Sequence, residues 1–161
     1  MVTRFGFRWW IIGLIGVATV INYIDRSSLA VMWPAISRDT GLSKGSYATI
    51  VAVFMVSYAI GQALSGRFFD RVGTRLGFVA SIVVWSCACA LHGLARSALS
   101  LAGSRAILGV SEAGNWPGAT KAVAEWFPRH ERALAQGIFN AGASLGAVVS
   151  APLIAWLFVW L

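Results

Sequence analysis

Five ionisable residues stand where the chain is otherwise apolar. Asp25 and Arg26 are adjacent in INYIDRSSLA, Arg105 and Glu112 share SRAILGVSE, and Lys121 lies nearer the end of its run. A carboxylate can take up and release a proton, and an arginine can meet an anion with a planar fork of donors. Together they can make proton and anion binding mutually supportive. Protonating an acid that balances an arginine frees positive charge for an incoming carboxylate. Reciprocity then requires the anion to raise proton affinity by the same factor. Each such charge costs roughly 2.5–3.5 kcal/mol at the centre of a membrane helix, so these residues are expected to face a bundle interior or a wet cavity. Asp25, Arg26, Arg105 and Glu112 sum to zero charge. The competing explanation is a structural ion pair between helices, but desolvation offsets most of the attraction in such pairs, so function is the stronger reading.

Helical spacing groups the polar residues. Asn22 precedes Asp25 and Arg26 by three and four positions, so all three can share a face. Arg105 and Glu112 are seven apart, nearly two turns, and Asn115 continues the stripe. Pro117, in SEAGNWPGA, lacks the N–H that would bond the carbonyl of Ala113, which predicts a kink just past Glu112.

The elements that must position these residues are long apolar runs, at about 9–36, 46–68, 76–95, 99–126 and 133–161. Each is near or above the roughly 20 residues needed to cross a bilayer as a helix. The runs are continuous rather than alternating, which predicts helices and not a barrel. Of the 161 residues, 58% are hydrophobic and only 12% charged, and the mean hydropathy is +0.72. Soluble domains carry about 25% charged residues, so the composition is that of an integral membrane protein in contact with the lipid bilayer.

The net charge of +7 does not imply nucleic acid, because the basic residues fall between apolar runs. Arg4 and Arg8 precede the first run, Arg67, Arg71 and Arg75 separate the second from the third, and Arg129 and Arg132 separate the fourth from the fifth. The opposite side carries only Arg38, Lys44 and Arg96, with Asp39 as partial offset. The positive-inside rule therefore places the N-terminus in the cytoplasm of a multi-pass protein of the inner (cytoplasmic) membrane.

With that orientation, a rise of about 1.5 Å per residue places Asp25 roughly 17 Å below the outer end of its helix at Ile36. Arg105 and Glu112 come about 9 and 20 Å below Leu99, and Tyr58 about 18 Å down its helix with Gln62 one turn deeper. Polar groups from three helices are thus expected in one layer near mid-membrane, where transporters bind substrate.

Gly142 and Gly146 form a GxxxG step in the last run, with Gly137 before it, a spacing that lets helices pack closely. Cys87 and Cys89 lie in an apolar run and read as small hydrophobes rather than a redox or metal pair. His92 reads as interfacial and His130 as part of a charged loop. No metal-ligand cluster, cofactor motif or catalytic constellation is visible, so neither a cofactor nor enzyme activity is expected. The first run is too long for the h-region of a signal peptide. The chain stops in LIAWLFVWL without a polar flank, which reads as an interrupted sequence.

The stretch GRFFDRVGTRLG, with Gly66, Asp70, Arg71, Gly73 and Arg75, resembles the signature loop of the major facilitator superfamily. Its local chemistry suits a tight cytoplasmic reversal, with Gly73 free to adopt positive φ. NYIDRSSLAV, LHGLA and RAILGVSEAGNWPGATKAVAEWFPRHERALAQGIFNAG resemble the anion:cation symporter family, and within it the bacterial transporters of hexuronates and related sugar acids. The resemblance runs from about residue 8 to the end.

What it implies is an all-α membrane fold, with residues 1–161 forming part of the N-terminal half of a twelve-helix transporter. The sixth helix and the C-terminal half needed for transport would be absent. Asp25 and Glu112 would be the proton-coupling carboxylates, Arg26 would meet the substrate carboxylate, and Arg105 would balance the acids and exchange partners as they titrate. Tyr23, Tyr58 and Asn140 would line the site beside Asn22 and Asn115. The Gly66–Arg75 loop would latch the cytoplasmic side. The implied activity is proton-coupled symport of a small organic anion, a hexuronate or aldonate, by alternating access. A phosphate-ester exchanger of the same fold would want basic residues without acids for proton coupling, which Asp25 and Glu112 oppose. A truncated bundle with only an assembly or interaction role is the third reading.

Overall fold

The computed structural model describes residues 3–160. Met1, Val2 and Leu161, the outermost positions of the expected 1–161 span, lie outside the described residues, as does the side chain of Arg4. The described chain is helical with no strand: α1 (Thr3–Thr40), α2 (Lys44–Leu94), α3 (Ala98–Glu112), α4 (Asn115–Trp126), a 3-10 turn (Arg129–Glu131) and α5 (Arg132–Trp160).

The helix ends follow local chemistry. Gly41 closes α1 with φ +69°, its N–H donating to the carbonyl of Ser37 at 3.0 Å, the left-handed exit that glycine makes without a steric penalty. The Ser43 hydroxyl accepts from the Ser46 N–H to start α2. Ser97 and Ser100 make a reciprocal capping box ahead of α3, in which the two serines satisfy two otherwise orphaned backbone donors.

The helix boundaries extend and sharpen the sequence expectation. The first helix extends beyond 9–36 at both ends, because Ser37 and Thr40 hydroxyls donate back to the carbonyls of Pro34 and Ile36 and leave the polar tail helical. The expected second and third helices are the two limbs of the 51-residue α2, which meet at Gly73, where φ is +78° and ψ 164°. Straight, it would be about 75 Å long, far beyond a hydrocarbon core of about 30 Å. Gly73 supplies the turn with the positive φ its sequence context predicts. The expected fourth helix divides into α3 and α4 at Ala113–Gly114, directly after Glu112. Pro117 explains the break, since it cannot donate to Ala113, and the ladder resumes with Gly118 N–H to Gly114 O at 2.9 Å.

By length and composition α1 from Gly6, α2 and the Arg129–Trp160 segment can cross a membrane. Leu14, Val17, Val79, Val83, Val148 and Val159, all exposed, carry the apolar surface that a bilayer would solvate. Many hydroxyls inside these helices bond within their own helix. Thr19 donates to Ile15 O, Ser27 to Tyr23 O, Ser65 to Gln62 O, Ser111 to Ile107 O and Ser150 to Ala147 O, all at 2.8–3.0 Å.

The chain divides into two compact units, one of Met1–Met32 with Ala119–Leu161 and one of Trp33–Gly118. In the first, α1 and α5 run side by side in the same direction. A Cβ at Gly142 would lie 2.5 Å from the carbonyl oxygen of Gly16, and one at Gly146 would lie 2.7 Å from that of Val20. Here the GxxxG step brings backbone to backbone, as its spacing predicts. At one end of this unit Arg8, nearly buried, makes an ion pair with Glu131 at 2.7 Å and lies over the rings of Trp9 and Phe127. Arg132 completes that corner by donating to Phe127 O and Ala124 O, closing the end of α4.

In the second unit the first limb of α2 lies against α3. A Cβ on Gly109 would be 2.7 Å from Phe54 O, and one on Gly61 would be 2.8 Å from Val110 O. Trp33 and Tyr47, with ring centroids 4.8 Å apart, join the end of α1 to the start of α2.

Candidate functional site

The expected site residues fall into two sets, one on each unit. On the first unit, α1 carries Asn22, Tyr23, Asp25 and Arg26. Helical phase puts Asn22 fully inside, at 0% exposure, while Tyr23, Asp25 and Arg26 are half-buried. The Arg26 guanidinium lies 5.3 Å from the centroid of the Tyr23 ring. This aromatic face steadies the cation within α1. Tyr23 is itself held from α5, since its Cβ would be 2.8 Å from a Cβ at Gly146.

Neither amide atom of Asn22 has a hydrogen-bond partner, although burying an amide without one costs about 1–3 kcal/mol. Asn140, on α5, is half-buried with its Oδ1 also unbonded. The register that sets Gly142 against Gly16 and Gly146 against Val20 puts Asn140 about 12 Å along the axis from Asn22. The structure therefore brings Tyr23 and Arg26 together and leaves Asn140 on a different turn.

On the second unit, Arg105, Glu112 and Asn115 are 3%, 0% and 0% exposed. The i, i+7 spacing on α3 turns Arg105 and Glu112 inward together, and the break after Glu112 keeps Asn115 buried as α4 begins. The Arg105 guanidinium lies 5.7 Å from the Phe54 ring, which stacks on Tyr58 at 6.0 Å. Arg105, Phe54 and Tyr58 thus form one contiguous cation–aromatic stack. Arg105 Nε and Nη2, Glu112 Oε1 and Asn115 Oδ1 are buried atoms with unused hydrogen-bonding capacity. Gln62 does not join this layer, because it is exposed. The α2 limb turns one face to Gly109 and Ala113 and leaves Gln62 outside that contact.

In the expected cytoplasmic loop, Gly66, Asp70, Arg71 and Arg75 are exposed and Gly73 makes the reversal. Phe69, in the middle of that segment, is instead fully buried. Nothing in the residue types singles it out, since Phe68 beside it is exposed. The second unit also holds a groove of about 670 Å³ lined by Ser57, Leu64, Phe68, Val84 and Val110 among others. None of the buried charged residues lines it.

The chain matches a family model, the Major Facilitator Superfamily, over residues 15–161. It is 36% identical over 154 residues to the hexuronate transporter of Escherichia coli (strain K12), covering 96% of this chain and 36% of that protein. It is equally identical over 151 residues to the galacturonate transporter of Dickeya chrysanthemi, covering 94% of this chain and 44% of the relative. The D-galactonate transporter of Escherichia coli O6:H1 is 36% identical over 150 residues, covering 93% and 35%. The chain thus spans well under half the length of these relatives. Among solved structures, a bacterial homologue of the human lysosomal transporter Spinster, inward-facing and occupied, superposes with a TM-score of 0.84 at 25% identity. That match covers 89% of this chain and 31% of the homologue, and the unoccupied form gives a TM-score of 0.85. From its composition, its all-helical build and these matches, the chain is a member of the Major Facilitator Superfamily.

Proposed function

We propose that this chain supplies part of a transporter that carries a sugar acid, a hexuronate or aldonate, across the cytoplasmic membrane in symport with protons. Its N-terminus lies in the cytoplasm, and the cycle proceeds by alternating access. The single observation that carries the proton-coupling reading is the complete burial of Glu112 on the same face of α3 as buried Arg105. An acid so placed responds to two opposed influences, desolvation and a neighbouring cation. When substrate draws on the cation, the acid's proton affinity changes, and linkage makes the effect mutual.

Arg26, backed by Tyr23, is the receptor for the substrate carboxylate. Arg105 balances the charge of Glu112 as that acid titrates, and Asp25 is the second coupling carboxylate. Tyr58, Asn22, Asn115 and Asn140 supply the hydroxyl- and amide-based contacts that a polyhydroxy acid requires. The relatives' names (hexuronate, galacturonate and galactonate transporters) all describe sugar acids and support this substrate class. The Gly66–Arg75 turn acts as a cytoplasmic latch.

The test is uptake by the full-length protein in proteoliposomes, with D-galacturonate as probe and an imposed pH gradient. Glu112→Gln should abolish gradient-driven accumulation while some substrate exchange persists. A Glu112→Gln protein that still concentrates the probe along the gradient would remove Glu112 from coupling.

A further inference from the structure

Phe69 occupies a socket made by three glycines from two different parts of the chain. A Cβ built on Gly77 would lie 2.5 Å from its Cδ1 and Cε1, and one on Gly118 would lie 2.5 Å from its Cζ. One on Gly114 would lie 3.1 Å from its Cε2. Contacts under 3.0 Å admit no methyl group beside the ring, so at Gly77 and Gly118 hydrogen alone fits. The ring is fully buried, and Phe78 meets it edge-on at 5.4 Å. Gly77 lies on the second limb of α2, beyond the Gly73 turn. Gly114 and Gly118 bracket Asn115, Trp116 and Pro117 at the break between α3 and α4. Phe69 is bonded to Asp70, and Gly114 stands two residues after Glu112.

We infer that Phe69 is a positioning residue. It is a wedge through which the cytoplasmic Asp70–Arg75 turn sets the helix break that aims Glu112. The inference rests on the proposed coupling role of Glu112. Its physical content is that the ladder is already interrupted at Ala113–Gly114, where Pro117 withholds a donor, so the placement of the end of α3 against the Gly114–Gly118 turn is fixed by packing. Phe69 is the side chain in that notch. Its backbone belongs to the segment that turns at Gly73, so a displacement of the turn moves the ring against Gly114 and Gly118. Packed interiors transmit such displacements because they hold few voids to absorb them.

The experiment compares gradient-driven accumulation of D-galacturonate with gradient-independent counterflow of the same probe, in the full-length protein in proteoliposomes. Phe69→Ala should lower the initial rate of accumulation about tenfold, the scale of a mutation that modulates coupling. Counterflow should stay within about twofold, since the substrate contacts are untouched. Gly118→Ala, which pushes a methyl into the ring, should give the same split. Combining Gly118→Ala with Phe69→Leu, which removes the Cζ and Cε atoms that clash, should restore accumulation. Normal accumulation in Phe69→Ala, equal loss of both activities, or no rescue in the double variant each overturns the inference. If Glu112→Gln itself accumulates probe normally, the coupling reading falls and takes this inference with it. If Glu112→Gln fails and Phe69→Ala does not, the role of Phe69 alone is rejected.

Discussion

At the scale of single residues, Arg26 and Arg105 illustrate two uses of an aromatic neighbour. Arg26 lies over Tyr23 one turn away on its own helix, whereas Arg105 reaches Phe54 on a different one. The first arrangement orients a fork from within α1, and the second ties α3 to α2. Arg26→Lys should therefore raise the apparent Kd for galacturonate about tenfold, because a point charge loses one of two charge-assisted bonds. Binding measured by calorimetry on the full-length protein checks this, and unchanged affinity would take Arg26 out of the site. The charged members of the site were legible in the sequence, because a charge inside an apolar run announces itself. The socket around Phe69 was not. Phe69, Gly77, Gly114 and Gly118 follow no helical period, and their meeting depends on how α2 folds back and where α4 begins.

At the scale of elements, glycines of equal rank in the sequence separate sharply by what surrounds them. Gly142→Ala should destabilise the first unit by about 1–3 kcal/mol, since the added methyl meets backbone that cannot rotate away. Gly137→Ala on the same helix meets nothing within 4 Å and should be neutral or slightly stabilising, because alanine is the better helix former. Thermal unfolding of both variants in detergent distinguishes them, and equal effects would contradict the close α1–α5 approach. The same contrast holds in the Gly66–Arg75 turn. Gly73→Ala forces an L-residue to φ +78° and should cost about 1–2 kcal/mol, while Gly66→Ala adds a methyl to open space. Here the sequence was informative, since Gly73 and Pro117 are conformational extremes whose effects are local. It was less informative about where helices end. The length of α1 depends on hydroxyls bonding back to Pro34 and Ile36.

At the scale of the whole molecule, the family and the helical membrane build followed from composition and motif, whereas the division into two units did not. The first unit pairs residues up to Met32 with those from Ala119 onward, while the second is the continuous stretch between them. Hydropathy reports how each helix meets solvent or lipid and carries no record of which helix it meets. The charge asymmetry does bear on orientation. In a background lacking Cys87 and Cys89, Arg71→Cys should react with an impermeant thiol reagent only from the cytoplasmic side, and Ser97→Cys only from outside. The reverse pattern would invert the proposed topology.

The back-bonded hydroxyls have a consequence for biogenesis. Thr19, Ser27, Ser65, Ser111 and Ser150 each bond a carbonyl of their own helix, so their desolvation is met as soon as the helix forms. Each helix can then partition laterally into lipid carrying these groups before any neighbour arrives. Asn22, whose amide atoms have no hydrogen-bond partner among the described residues, has no such local solution, and its burial is achieved only on assembly. The molecule thus sorts its polar groups by time. Hydroxyls are settled at insertion, and the buried amide of Asn22 waits for the helices to associate.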